Sequence, residues 1–112
     1  MRSEIAMIPQ ILAQQLEMLA GPLRTIAGQL NTGGIEHLYL VGCGDSAFAG
    51  VAATLAFQKH SGIDADGAHA LDLARYRVRY LPERSAVMCI SFSGRVGKTI
   101  EAAIQAEVVP FP

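Results

Sequence analysis

Two apolar runs, Ile35 to Val41 and Ser85 to Ile90, each close in a turn containing glycine and serine and then enter a helical stretch. A short apolar run bounded by turn residues fits a strand buried on both faces, the condition of a parallel sheet. Parallel neighbours cannot be joined by a tight hairpin, so each pair needs a crossover, usually a helix. The chain is therefore expected to be α/β, a parallel three-layer sandwich with helices on both faces of the sheet.

The remaining elements follow from the same reading. Apolar residues at 5, 8, 12, 16, 19, 23, 26 and 30 recur at intervals of three and four, which places them on one face of a helix. Gly21-Pro22 is expected to divide this N-terminal helical segment, residues 1–34, into two helices, because proline is best tolerated in a first turn. Asn31-Thr32-Gly33-Gly34 ends it. After the first strand, the turn Gly42-Cys43-Gly44-Asp45-Ser46 leads to a helix over 47–59. Its small residues allow close packing on a sheet. A second, weaker strand is predicted over 63–70, a helical turn over 71–76, the third strand over 85–90 and a last helix over 96–107. Arg75, Arg77 and Arg79 alternate with Tyr76, Val78 and Tyr80, which predicts an extended segment with one charged, solvated face.

Charge and composition exclude several classes. Nine Lys and Arg stand against ten Asp and Glu, a net charge of −1, so no basic excess marks a nucleic-acid binder. With 51% hydrophobic and 17% charged residues the chain can build a core, yet it has little polar material to cover a small domain. Further surface is expected to be covered by a partner chain or by sequence that follows, and 35–112 reads as a truncated domain holding its first three strands. The longest apolar stretch, Ala47 to Phe57, falls short of the roughly 18–20 residues that span a bilayer. Two cysteines and no secretory signal fit a reduced, cytoplasmic setting. Cys43 and Cys89 are expected to be buried small hydrophobes. His37, His60 and His69 show no metal-ligand spacing, so neither metal nor cofactor is expected.

Ligands of open α/β sheets collect beyond the carboxyl ends of the strands, where helix N-termini present unpaired N–H groups and favour anions. The two turns supply Ser46 on one side and Ser91, Ser93 and Thr99 on the other, with Gly42, Gly44, Gly94 and Gly97 admitting close approach of the backbone. Residues 71–98 also hold six cations, Arg75, Arg77, Arg79, Arg84, Arg95 and Lys98, against only Asp72 and Glu83. This is the composition of a phosphate site.

Two nucleotide readings compete for it. Gly42-x-Gly44-x-x-Ala47 after a strand, with Asp64 about twenty residues on, satisfies a dinucleotide fingerprint, but Asp64 would open the second strand rather than close it. Gly97-Lys98-Thr99 ends like a P-loop, although Phe92 occupies the position of its first glycine. The bland reading is that Ser91 and Ser93 merely cap the last helix.

Taken together, Gly42-Cys43-Gly44-Asp45-Ser46 and Ser91-Phe92-Ser93-Gly94 with Thr99 resemble the two phosphate turns of sugar isomerase (SIS) domains. The opening Met1-x-x-Glu4-Ile5-x-x-x-Pro9 and the segment Leu73-Ala74-Arg75-Tyr76 are similar to the isomerase half of glucosamine-6-phosphate synthase and its stand-alone relatives. The resemblance implies a flavodoxin-type topology, binding of a phosphorylated sugar or amino sugar, and a homo-oligomer. By the same resemblance Ser46, Ser91, Ser93 and Gly94 bind the phosphate and Thr99 orients the helix start, with Gly44, Phe92, Arg95 and Lys98 as additional contacts. Phe92, Arg95, Val96, Lys98 and Asp45 depart from the synthase pattern, and Val96 lacks a hydroxyl that usually touches phosphate. With no glutaminase domain ahead of Met1, the isomerase, deaminase or deglycase branch is implied. Isomerisation needs a base, which the family supplies from later sequence or across an interface. A non-catalytic phosphosugar-binding module is the alternative, and a dinucleotide-binding Rossmann fragment a more distant one.

Overall fold

Leu, Met, Ala and Gln, all strong helix formers, dominate the first thirty residues. In the computed structural model, which describes residues 1–108, they form one helix, α1 (Arg2–Thr32). The expected break at Gly21-Pro22 is absent, and Pro9 and Pro22 both lie inside the helix. Each proline removes one backbone bond and crowds the carbonyl four residues earlier. Thr25 Oγ1 donates to Gly21 O at 3.3 Å, and Thr32 Oγ1 to Gly28 O at 2.9 Å. The Gly33 N–H then closes the last turn on Gln29 O at 2.9 Å. Residues 1–33 form one unit, and a second unit begins at Gly34.

The second unit is built on three parallel strands, β1 (His37–Gly42), β2 (Asp64–His69) and β3 (Ser85–Cys89), in the order β2-β1-β3. Each lies within two residues of its expected bounds. On the central strand successive side chains point to opposite faces. Leu38 and Leu40 join Ala65 and pack against Ala53 and Phe57 of α2 (Asp45–Ser61). Tyr39 and Val41 join Leu73, Ala74 and Ala102 on the other face, below α4 (Gly97–Val108). These are the three expected layers.

Small residues bring α2 close to the sheet. A Cβ on Gly50 would lie 3.1 Å from Leu40 Cβ, and one on Gly67 of β2 would lie 2.6 Å from Val51 Cγ2. Gly62 ends α2 in the left-handed conformation at φ 71°, where a side chain would be strained.

Two further expectations fail. Residues 75–80 are not extended: α3 (Ala70–Asp72) runs on as a π-helical turn, Leu73–Arg77, and a 3-10 turn, Val78–Tyr80. The Arg/Tyr alternation matched a strand period, but the buried residues are Ala70, Leu73, Ala74 and Val78, and their spacing is helical. Cys89 is not a buried hydrophobe either; it is exposed, at the end of a strand that among the described residues pairs with β1 alone. Cys43 is half-buried. Val108 ends α4, and residues 109–112 lie outside the described residues. No helix among the described residues is long and apolar enough to cross a membrane.

Candidate functional site

Strand order reverses at β1. One crossover, through α2, leads to β2 on one side, and the return through α3 leads to β3 on the other. Ligands of open α/β sheets sit at such a switch point, outside the carboxyl ends of the strands. The turns after Gly42 and Cys89 both lie there.

The sheet ladder holds the two turns side by side. Ile90 N–H donates to Val41 O at 2.8 Å, extending the β1–β3 pairing by one residue. Gly42, the last residue of β1, is buried. A Cβ there would come within 2.8 Å of Ser46 Cβ and 2.9 Å of Ile90 O, so only glycine fits. One turn further on, the Cys43 sulfur lies 3.5 Å from Thr99 Oγ1. The first turn folds back on itself: Gly44 takes φ 55°, Ser46 N–H donates to Cys43 O at 3.1 Å, and Ala47 N–H to Gly44 O at 3.0 Å. Ser46 is thus a half-buried residue in the first turn of α2.

The second turn is open and held by its own side chains. Ser91 Oγ accepts from Gly94 N–H at 2.9 Å, and Ser93 Oγ accepts from Arg95 N–H at 3.1 Å. Both serines therefore shape the loop ahead of α4 rather than capping its first residue. Gly94 takes φ 69° and would meet nothing if given a Cβ. Its N–H is the one that donates to Ser91. A hydroxyl that accepts a bond keeps its proton to donate. The donors that remain toward an anion are the two hydroxyl protons and the first-turn N–H groups of α4, which a helix cannot satisfy internally.

A groove of about 330 Å³ runs beside this turn, lined by Cys89, Ser91, Gly94, Val96, Thr99, Ile100 and Ala103. It gathers three of the residues expected at the site, Ser91, Gly94 and Thr99. Ser46, Gly44, Ser93, Arg95 and Lys98 are not in its lining, and Phe92 is fully exposed to solvent. Thr99 is only 5% exposed, and its hydroxyl faces Cys43 rather than the start of α4. Sequence reasoning missed Cys89, Ile100 and Ala103. Cys89 ends β3, and the other two share a helix face with Thr99, a spacing that sequence alone carries. Partial burial pushes the Cys89 thiol above its usual range.

The surrounding charge is partly committed elsewhere. Arg75 holds Glu101 through two contacts, at 3.3 and 3.5 Å. Arg77 reaches Asp66 at 3.4 Å and lies over the Tyr39 ring, 5.6 Å from its centre. Arg84 pairs with Glu36 at 2.9 Å. Among the described residues Arg79, Arg95 and Lys98 take part in no salt bridge, and the last two flank the open turn.

The dinucleotide reading does not suit this geometry. Asp64 is the first residue of β2, level with His37 and 3.8 Å from its Nδ1, at the end of the sheet away from the turns. A ribose-binding acid is needed at the other end. Nor do the described residues hold any group of three or more His, Cys, Asp or Glu that would suit a metal. His69 instead accepts from Leu71 N–H through Nδ1 at 3.2 Å and caps α3.

The sequence model of the SIS domain matches residues 34–109. No curated protein and no solved structure matches the chain.

Proposed function

The chain belongs to the SIS domain family over residues 34–109, and from that premise we propose that it binds a phosphorylated sugar or amino sugar at the paired turns of β1 and β3. The observation that carries this reading is the second turn at the switch point. Its two serine oxygens are pinned by backbone N–H groups while their protons stay available, beside the N-terminus of α4. A phosphate would take the Ser91 and Ser93 hydroxyls and the first-turn N–H groups of α4, with Ser46 and Gly44 approaching from the first turn. Arg95 and Lys98 add positive charge where Val96 has lost a hydroxyl.

Chemistry on the sugar requires more than this groove provides. Aldose–ketose isomerisation needs a base to move a proton between neighbouring carbons, and the groove lining contains no carboxylate or imidazole. We therefore assign the chain the phosphate-holding part of an isomerase-, aminotransferase- or deaminase-type protein, acting in the cytoplasm as a homo-oligomer. The apolar residues left exposed on the second unit, among them Phe48, Leu55, Ile100 and Ile104, support an assembled state.

A thermal-shift panel of fructose-6-phosphate, glucosamine-6-phosphate, NAD and ATP tests the assignment. Stabilisation by a sugar phosphate, lost in Ser91→Ala with Ser93→Ala, is the expected result. Stabilisation by NAD or ATP alone would overturn it. Turnover of a hexose phosphate would mark an enzyme, and binding without turnover a regulatory module.

A further inference from the structure

We propose that the groove between the helical segment 73–80 and α4 is a second ligand site, one that takes an adenine nucleotide; it stands apart from the sugar-phosphate reading and does not rest on it. The groove has a volume of about 590 Å³, inside the roughly 300–1,000 Å³ range of small-molecule sites. It lies wholly within the second unit and shares no lining residue with the groove beside Ser91. One wall is the π-helical turn Leu73–Arg77 with the 3-10 turn Val78–Tyr80, and the other is α4. Ala74 and Val78, both buried, anchor the first wall. Val78 N–H closes its turn on Leu73 O, five residues back, a backbone form that is rare and recurs at functional sites.

The two walls supply different parts of such a site. Tyr76 and Tyr80, four residues apart, both line the first, and a base stacks on an aromatic ring whatever its edge pattern. Arg79 lines the same wall and takes part in no salt bridge among the described residues, so its planar fork of donors is free for a phosphate. Across the groove, Glu101 and Gln105 sit four residues apart on one side of α4. Arg75 holds both Glu101 oxygens, at 3.3 and 3.5 Å, which bridges the walls and offsets the charge that would repel an anion. Gln105 remains to read the ligand. Its amide offers a donor and an acceptor, which adenine answers with N7 and the N6 amino group, whereas guanine presents two acceptors on that edge. A sugar phosphate has no flat aromatic face to lay on the two tyrosines.

Calorimetric titration of the full chain with AMP tests this, with far-UV circular dichroism as a check on folding. AMP is expected to bind about tenfold more tightly than adenosine or ribose 5-phosphate, since each lacks one of the two contacts, and more tightly than GMP. Tyr76→Ala with Tyr80→Ala should weaken AMP about a hundredfold, whereas Tyr76→Phe with Tyr80→Phe keeps the stacking and leaves it unchanged. Arg79→Ala should weaken AMP about tenfold and leave adenosine as it was. Ser91→Ala with Ser93→Ala should not alter AMP binding, which separates this groove from the sugar-phosphate turns. Absence of AMP binding, equal binding of AMP and ribose 5-phosphate, or AMP binding that survives Tyr76→Ala with Tyr80→Ala would overturn the proposal. Loss of AMP binding with the two serines would put the nucleotide in the turns and overturn this site.

Discussion

The two turns at the carboxyl end of the sheet are held in different ways. The first, residues 42–46, is fixed by packing: Gly42 lies against Ile90 O and Ser46 with no room for a methyl group. The second, residues 91–96, is largely exposed, and two serine oxygens bonded to its own N–H groups give it its shape. A packed turn is rigid at the cost of tolerance. A turn held by local hydrogen bonds keeps its groups open to solvent and to a ligand, and depends on those bonds alone for its form.

Substitutions can break that contrast, beginning with the largest expected effect. Gly42→Ala should cost about 3 kcal/mol, since the methyl must displace backbone on the neighbouring strand. Urea unfolding reads it directly, and a loss below about 1 kcal/mol would mean that the first turn is not packed as described. Ser91→Ala with Ser93→Ala should leave the fold intact and weaken sugar-phosphate binding by more than about a hundredfold, because hydrogen bonds to charged groups are worth roughly 1.5–3 kcal/mol each. Calorimetric titration measures this.

Gly94→Ala sharpens the comparison. Nothing lies within 4 Å of the added carbon, so only the left-handed backbone opposes it, at about 1 kcal/mol. The ratio of its unfolding cost to that of Gly42→Ala is the test of packing against local geometry. The smallest effect is a gain. Val96→Thr returns a hydroxyl to the groove beside Ser91, and binding of sugar phosphate should tighten about threefold to tenfold, the worth of one hydrogen bond.

Much of this was legible in the sequence, for identifiable reasons. β1 and β3 are largely apolar runs, and the glycines at 42, 44 and 94 mark the turns because glycine best suits close approach or positive φ. The N-terminal apolar stripe was readable at its spacing, but Gly21-Pro22 looked like a boundary. Whether a proline ends a helix depends on what holds the residues around it, which is not local information. At 75–80 two periods coexisted in one stretch, and Tyr76, Tyr80 and the three arginines on the solvated side hid the helical spacing of Ala70, Leu73, Ala74 and Val78. In the candidate site, hydrogen-bond directions were not legible. That Ser91 accepts from Gly94, and that Thr99 turns toward Cys43, depend on loop conformation and on a strand 56 residues away.

The central claim is that the two turns form a single anion site, and amide chemical shifts during a titration with glucosamine-6-phosphate test it most directly. The account predicts that the amides of residues 44–47 and of 94–99 shift together, with one affinity, and that neither set responds in Ser91→Ala with Ser93→Ala. Shifts confined to one turn, or centred on the helical segment 73–80, would contradict it.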